Sequence, residues 1–111
     1  MATTYKILGQ TAASTASTSY DLYTVASSTQ AVVSSIVVAN RTSSAATYRI
    51  SAASAGASLA DNQYLAYDVT VGGSDSTVLT LGITLNAADK IRVYASSNNG
   101  LTFTAFGSEI S

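Results

Sequence analysis

Apolar residues in this chain recur at every second position, which is the period of a β-strand and not of a helix. In "TVLTLGITL", Leu79, Leu81, Ile83 and Leu85 fall on one face, and Val78, Thr80 and Thr84 on the other. Gly82 interrupts the run at a point suited to a bend or bulge. "QAVVSSIVVAN" alternates less cleanly, because Val32, Ile36 and Val38 stand at opposite parity to Val33 and Val37. Apolar side chains on both faces mark a strand that is central or covered on both sides. "SYDLYTV", "ATYRIS", "QYLAYDVTV", "KIRVYAS" and "LTFTAF" add further β-branched and aromatic runs, for about eight strands in all. Between them, "NNG" at Asn98 to Gly100 predicts a tight hairpin, since Asn-Gly accepts positive φ. "NRTSS" (40–44), "VGGSDS" around Gly72 and Gly73, and "NAAD" (86–89) read as further turns. "SAASAGASLADN" has room for one helical turn, but Gly56 and its serines favour a loop. Short strands at this spacing predict an all-β fold, an antiparallel β-sandwich of about eight strands, Ig-like or jelly-roll. At 111 residues the chain fits one domain, 1–111, able to bury about 65% of its unfolded surface without disulfides or metal.

Composition excludes several classes of chemistry. The chain has no cysteine and no histidine, so neither a disulfide framework nor thiolate or imidazole metal ligation is available. Its five basic and six acidic residues are scattered singly, and no Lys/Arg run could neutralise a row of phosphates. Neither nucleic acid nor a membrane is an expected partner, because no stretch reaches the roughly 18 apolar residues of a spanning helix. "MATTYKILGQ" lacks the charged and apolar regions of a signal peptide, which predicts synthesis and folding in a cytoplasm. Ala, Ser and Thr dominate, and only 10% of residues are charged. A surface of hydroxyl and methyl groups costs little to desolvate against a partner. Proline is absent and the only lysines are Lys6 and Lys90, so the usual devices that blunt edge strands are missing. The edges are either covered within the fold by the termini or paired with a neighbouring subunit.

No residue set forms a recognisable site. Asp61, Asp68, Asp75 and Asp89 lack the dense Asp/Asn/Gly spacing of a calcium loop and read as solvated turn and cap residues. The serines have no histidine and no "GxSxG" or "SxxK" to activate them. Asp68 and Glu109 offer two carboxylates, as a glycosidase requires, but not in any motif. Asn40 opens an "NRT" sequon that, without a secretory signal, reads as a turn. The seven tyrosines, Tyr64 and Tyr94 among them, could stack on sugars, although core-edge packing is the more ordinary use. "SYDLYTV" and "AYDVTV" share a Tyr-Asp step that a biased composition explains without internal duplication. Catalytic, cofactor and metal residues are therefore assigned to none. Ile36 is expected in the core and Ser43 in an exposed turn.

One resemblance goes further. "MATTYKILGQ" (1–10), "DLYTVASSTQAVVSSIVVANR" (21–41), "LAYDV" (65–69), "LTLGITL" (79–85) and "FTAFGSEIS" (103–111) together resemble a family of small virion structural proteins of tailed bacteriophages, especially those infecting cyanobacteria and other aquatic bacteria. The family pattern has Pro after "LYTV", Cys before "NR" and Arg-Pro before "AG", where this chain has Ala26, Ala39 and Ala53-Ser54. These departures touch turns and packing. Matching ends imply a one-domain chain, and the resemblance implies a non-enzymatic virion component. A capsid cement protein, often a trimer bound to the major capsid protein, is the leading expectation. A tail, baseplate or fibre-associated protein, with a receptor- or carbohydrate-binding role, is the alternative.

Overall fold

The computed structural model describes residues 2–111, and Met1 lies outside the described residues. Eight strands are present: β1 Thr3–Ala12, β2 Ser19–Thr24, β3 Gln30–Asn40, β4 Ala46–Ala53, β5 Tyr64–Val71, β6 Ser76–Leu85, β7 Lys90–Ala95 and β8 Leu101–Ile110. They form two four-stranded antiparallel sheets, ordered β1-β8-β3-β6 and β2-β7-β4-β5. Every connection crosses from one sheet to the other except β4 to β5. That winding is a jelly roll, which decides between the two sandwich types expected. The strand that alternation did not single out is β1. Five consecutive residues, Thr3 to Ile7, are exposed, so no apolar period marks it before Leu8.

The crossing connections correct one expectation. Asn98 to Gly100 does not close a hairpin, because β7 and β8 lie in different sheets. Asn99 does take positive φ (51°), but there it turns the chain from one layer to the other. Among the described residues the one hairpin joins β4 and β5 through 54–63, where two short 3-10 turns, Ser54–Gly56 and Asp61–Gln63, replace the single turn or plain loop anticipated.

A bulge resolves the uneven pattern of β3. Ser34 has no partner in the register between Val33 and Ser35, on either neighbour. The extra residue reverses parity, so Ala31 and Val33 before it and Ile36 and Val38 after it all point inward and are buried. The expected grouping of Val32 with Ile36 and Val38 is thereby corrected. Leu81 and Gly82 of β6 lie opposite Ser34, which gives Gly82 its bulge, and Leu8 of β1 is bulged at the same level. Beside this line of bulges, a Cβ added to Gly107 would stand 1.9 Å from the Val32 carbonyl oxygen. β8 and β3 approach too closely there for any other residue.

Tyr48, Ile50, Ile91 and Val93 from one sheet meet Val33, Ile36, Val38, Leu101 and Phe103 from the other. Tyr48 and Phe103 cross edge-to-face at 6.3 Å. Leu79, Leu81 and Ile83 pack on this core as their alternation requires. The edges divide into two kinds. β1 lies so close to β2 that a Cβ on Gly9 would stand 2.0 Å from the Leu22 carbonyl oxygen, and Ala2 and Ser111 exchange backbone hydrogen bonds. On the opposite side, β5 and β6 leave Leu65 and Val69 exposed.

Candidate functional site

The outer face of β1-β8-β3-β6 carries no charge. Lys6 and Glu109 are, among the described residues, the only charged ones in its four strands. They pair at 3.0 Å, and the Tyr23 hydroxyl of the other sheet donates a hydrogen bond to Glu109, which holds the pair on the inward side. Burial pushes the Tyr23 hydroxyl well above its ordinary pKa, with the carboxylate adding to the effect. The bonds from Tyr23 and Lys6 hold Glu109 below its own ordinary value. Outward, cross-strand pairing lays out neutral rows: Ala12, Thr102, Ala39 and Ser76; then Gln10, Thr104, Val37 and Val78; then Ile7, Phe106, Ser35 and Thr80. Tyr5 is 83% and Val78 60% exposed.

The outer face of β2-β7-β4-β5 is its opposite in character. Arg49 of β4 lies between two aromatic rings, its guanidinium carbon 4.1 Å from the Tyr67 centroid and 4.3 Å from that of Tyr94. A bulge in β5 sets both Tyr67 and Asp68 against Arg49, with Asp68 at positive φ (52°). Its carboxylate accepts two hydrogen bonds from Arg49, at 2.6 and 3.3 Å. Those bonds hold Asp68 below the usual carboxylate range and raise the Arg49 guanidinium. Tyr64 meets Tyr67 at 4.8 Å and 84°, and these two rings with Asp61 line an open cleft of about 350 Å³. Tyr94 is on the far flank of Arg49, its hydroxyl 3.2 Å from Ser17 Oγ.

The remaining sequence candidates are dispersed. Asp75 accepts the Ser76 N–H, and Asp89 accepts those of Ala55 and Asn86, so both tie turns. Asp68 and Glu109 belong to different sheets and act in separate ion pairs. Asn40 is 4% exposed, and its amide bonds Ser44 O, Val71 O, Thr42 N and Thr42 Oγ1. The sequon asparagine is a structural knot joining the β3–β4 turn to β5. The two Tyr-Asp steps lie in β2 and β5, the opposite edges of one sheet. Sequence reasoning missed Arg49, whose role depends on the β5 bulge, and the neutrality of one whole face. The second had a visible signal, since no charge occurs in "QAVVSSIVVAN", "TVLTLGITL" or "LTFTAF". Only the strand order makes those segments neighbours.

The chain is thus an all-β jelly-roll sandwich whose distinctive chemistry lies on its two outer faces. No family model matches the sequence, and neither does any curated protein. Among solved structures it is similar to a chain in the structure of infectious bursal disease virus Gx strain, with a TM-score of 0.54 and 11% identity over 97% of this chain. A chain from the Gt strain gives a TM-score of 0.46 and 10% identity over the same share. This chain spans 31% and 29% of the lengths of those two. At such identities the likeness is one of fold.

Proposed function

We propose that this protein is a non-enzymatic structural component of a bacteriophage virion, seated on the capsid as a cement protein through the outer face of β1-β8-β3-β6. The observation that carries the reading is that face's neutrality. Stripping water from an ammonium or carboxylate costs several kcal/mol, whereas methyl and hydroxyl groups desolvate at far smaller cost. A face that excludes charge while the opposite sheet carries Asp21, Arg49, Asp68, Lys90 and Arg92 is suited to burial against a partner. The resemblance to small phage virion proteins agrees with this, and the jelly roll is a frequent choice for capsid domains, an argument by fold analogy. Cementing works by mass action: copies bridging coat subunits stabilise the assembled shell over free capsomers.

Quantitative mass spectrometry of separated heads and tails tests the reading. Copy numbers near that of the major capsid protein, confined to heads, are expected. A few copies restricted to tails would instead make the chain a ring or fibre component.

A further inference from the structure

The cleft between Tyr64, Tyr67 and Asp61 has a chemistry of its own. Its two rings meet at 84°, forming a right-angled apolar corner at the exposed edge of the sheet. Tyr67 is 55% exposed, yet it is fixed in place by the Arg49 guanidinium stacked on it, itself held by Asp68 and Tyr94. Little rotamer freedom remains to be lost when a ligand arrives. At the mouth of the corner, the Asp61 carboxylate makes no side-chain hydrogen bond among the described residues and lies open to solvent. It is an acceptor with two oxygens and no partner.

We propose that this corner binds a neutral sugar ring, stacking an apolar face of a hexose against the tyrosines while two adjacent hydroxyls donate to Asp61. Three ligand classes are distinguished by charge. An anion meets the Asp61 carboxylate, and the Arg49 guanidinium stacked on Tyr67 is already paired with Asp68. An organic cation finds the Tyr67 ring already engaged by a guanidinium 4.1 Å from its centroid, which leaves that ring little further attraction to offer. A neutral ring with an apolar face and donating hydroxyls suffers neither penalty. Tyr94, a sugar-stacking candidate from sequence, lies outside the cleft, and its ring is engaged by Arg49. The site stands independently of the virion proposal, because it is built on the opposite sheet and its β4–β5 connection.

The test is a glycan array probed with the full chain, displaying neutral hexose and N-acetylhexosamine oligosaccharides beside sialylated and sulfated ones. Neutral glycans are expected to give the signal. Titrating the best neutral hit, Tyr64→Ala and Asp61→Asn should each weaken binding by about tenfold. Tyr5→Ala, on the other sheet, should leave it unchanged. Circular dichroism melts of all three variants should match the parent, so that a loss of binding is not a loss of fold. An array without neutral hits, signal from acidic glycans alone, or binding indifferent to both cleft substitutions would each overturn the proposal.

Discussion

At the scale of single residues, the fold rests on positions where volume is fixed. Ile36 is fully buried between the sheets, so Ile36→Ala should cost about 2–5 kcal/mol through lost burial and a residual cavity. Ser43 is exposed in the β3–β4 turn, and Ser43→Ala should change stability by less than about 0.5 kcal/mol. Urea denaturation of the two variants measures the contrast, and equal midpoints would contradict the core assignment. Gly107 offers the converse case, in which the smallest addition is too much. Gly107→Ala drives a methyl into the Val32 carbonyl, which cannot retreat without breaking the β3–β8 pairing. A loss of about 1–3 kcal/mol is expected, with faster amide exchange along both strands.

At the scale of elements, each strand divides its residues between a core common to both sheets and an outer face belonging to one. β3 shows how little separates the two. Without the Ser34 bulge, Ile36 and Val38 would point outward and leave the core. Val37 lies in the middle of that face, paired with Thr104 on one side and Val78 on the other. Val37→Lys can extend its ammonium into solvent in the isolated protein, so its melting temperature should stay close to the parent's. Binding to purified capsids should fall by at least about tenfold, because an ammonium must then be desolvated in the contact. Pull-down with capsids measures it. Retained binding would move the contact to another surface.

At the scale of the whole molecule, few interactions other than apolar packing tie the sheets together, and one of them titrates. The Glu109 carboxylate in β8 accepts from Tyr23 in β2 and from Lys6 in β1. Its folded pKa lies below the ordinary 4.5, so the stabilisation is fully present above that value and is lost as pH falls through the depressed one. Asp21, held down by Lys90, and Asp68, held down by Arg49, lose theirs in the same acid range. Denaturation midpoints should therefore fall as the pH is lowered below about 5 and through the depressed carboxylate values, and less steeply for Glu109→Gln. Tyr23 acts at the other extreme. Its raised pKa favours the protonated ring, a contribution kept at neutral pH and lost only as alkali ionises the phenol.

Strand content, the position of most turns and the inward residues of β6 could be read from the sequence, because period and turn chemistry are local properties. The lack of histidine and cysteine likewise bounds the chemistry before any folding. Three things depended on tertiary structure. Asn98 to Gly100 links two sheets and not two halves of a hairpin, since a turn motif fixes dihedral angles but not which partner the next strand finds. The inward set of β3 depends on a bulge beside Gly107 of β8 and opposite Gly82 of β6, which no alternation within β3 reveals. The neutral rows arise from strands distant in sequence, β1, β8, β3 and β6, and the tyrosine corner, itself local to 61–67, is braced by Arg49 of β4, which Tyr94 of β7 flanks. A sequence determines which residues are apolar, charged or aromatic. Strand order alone decides which of them share a face, because it rests on long-range pairing that no local pattern encodes.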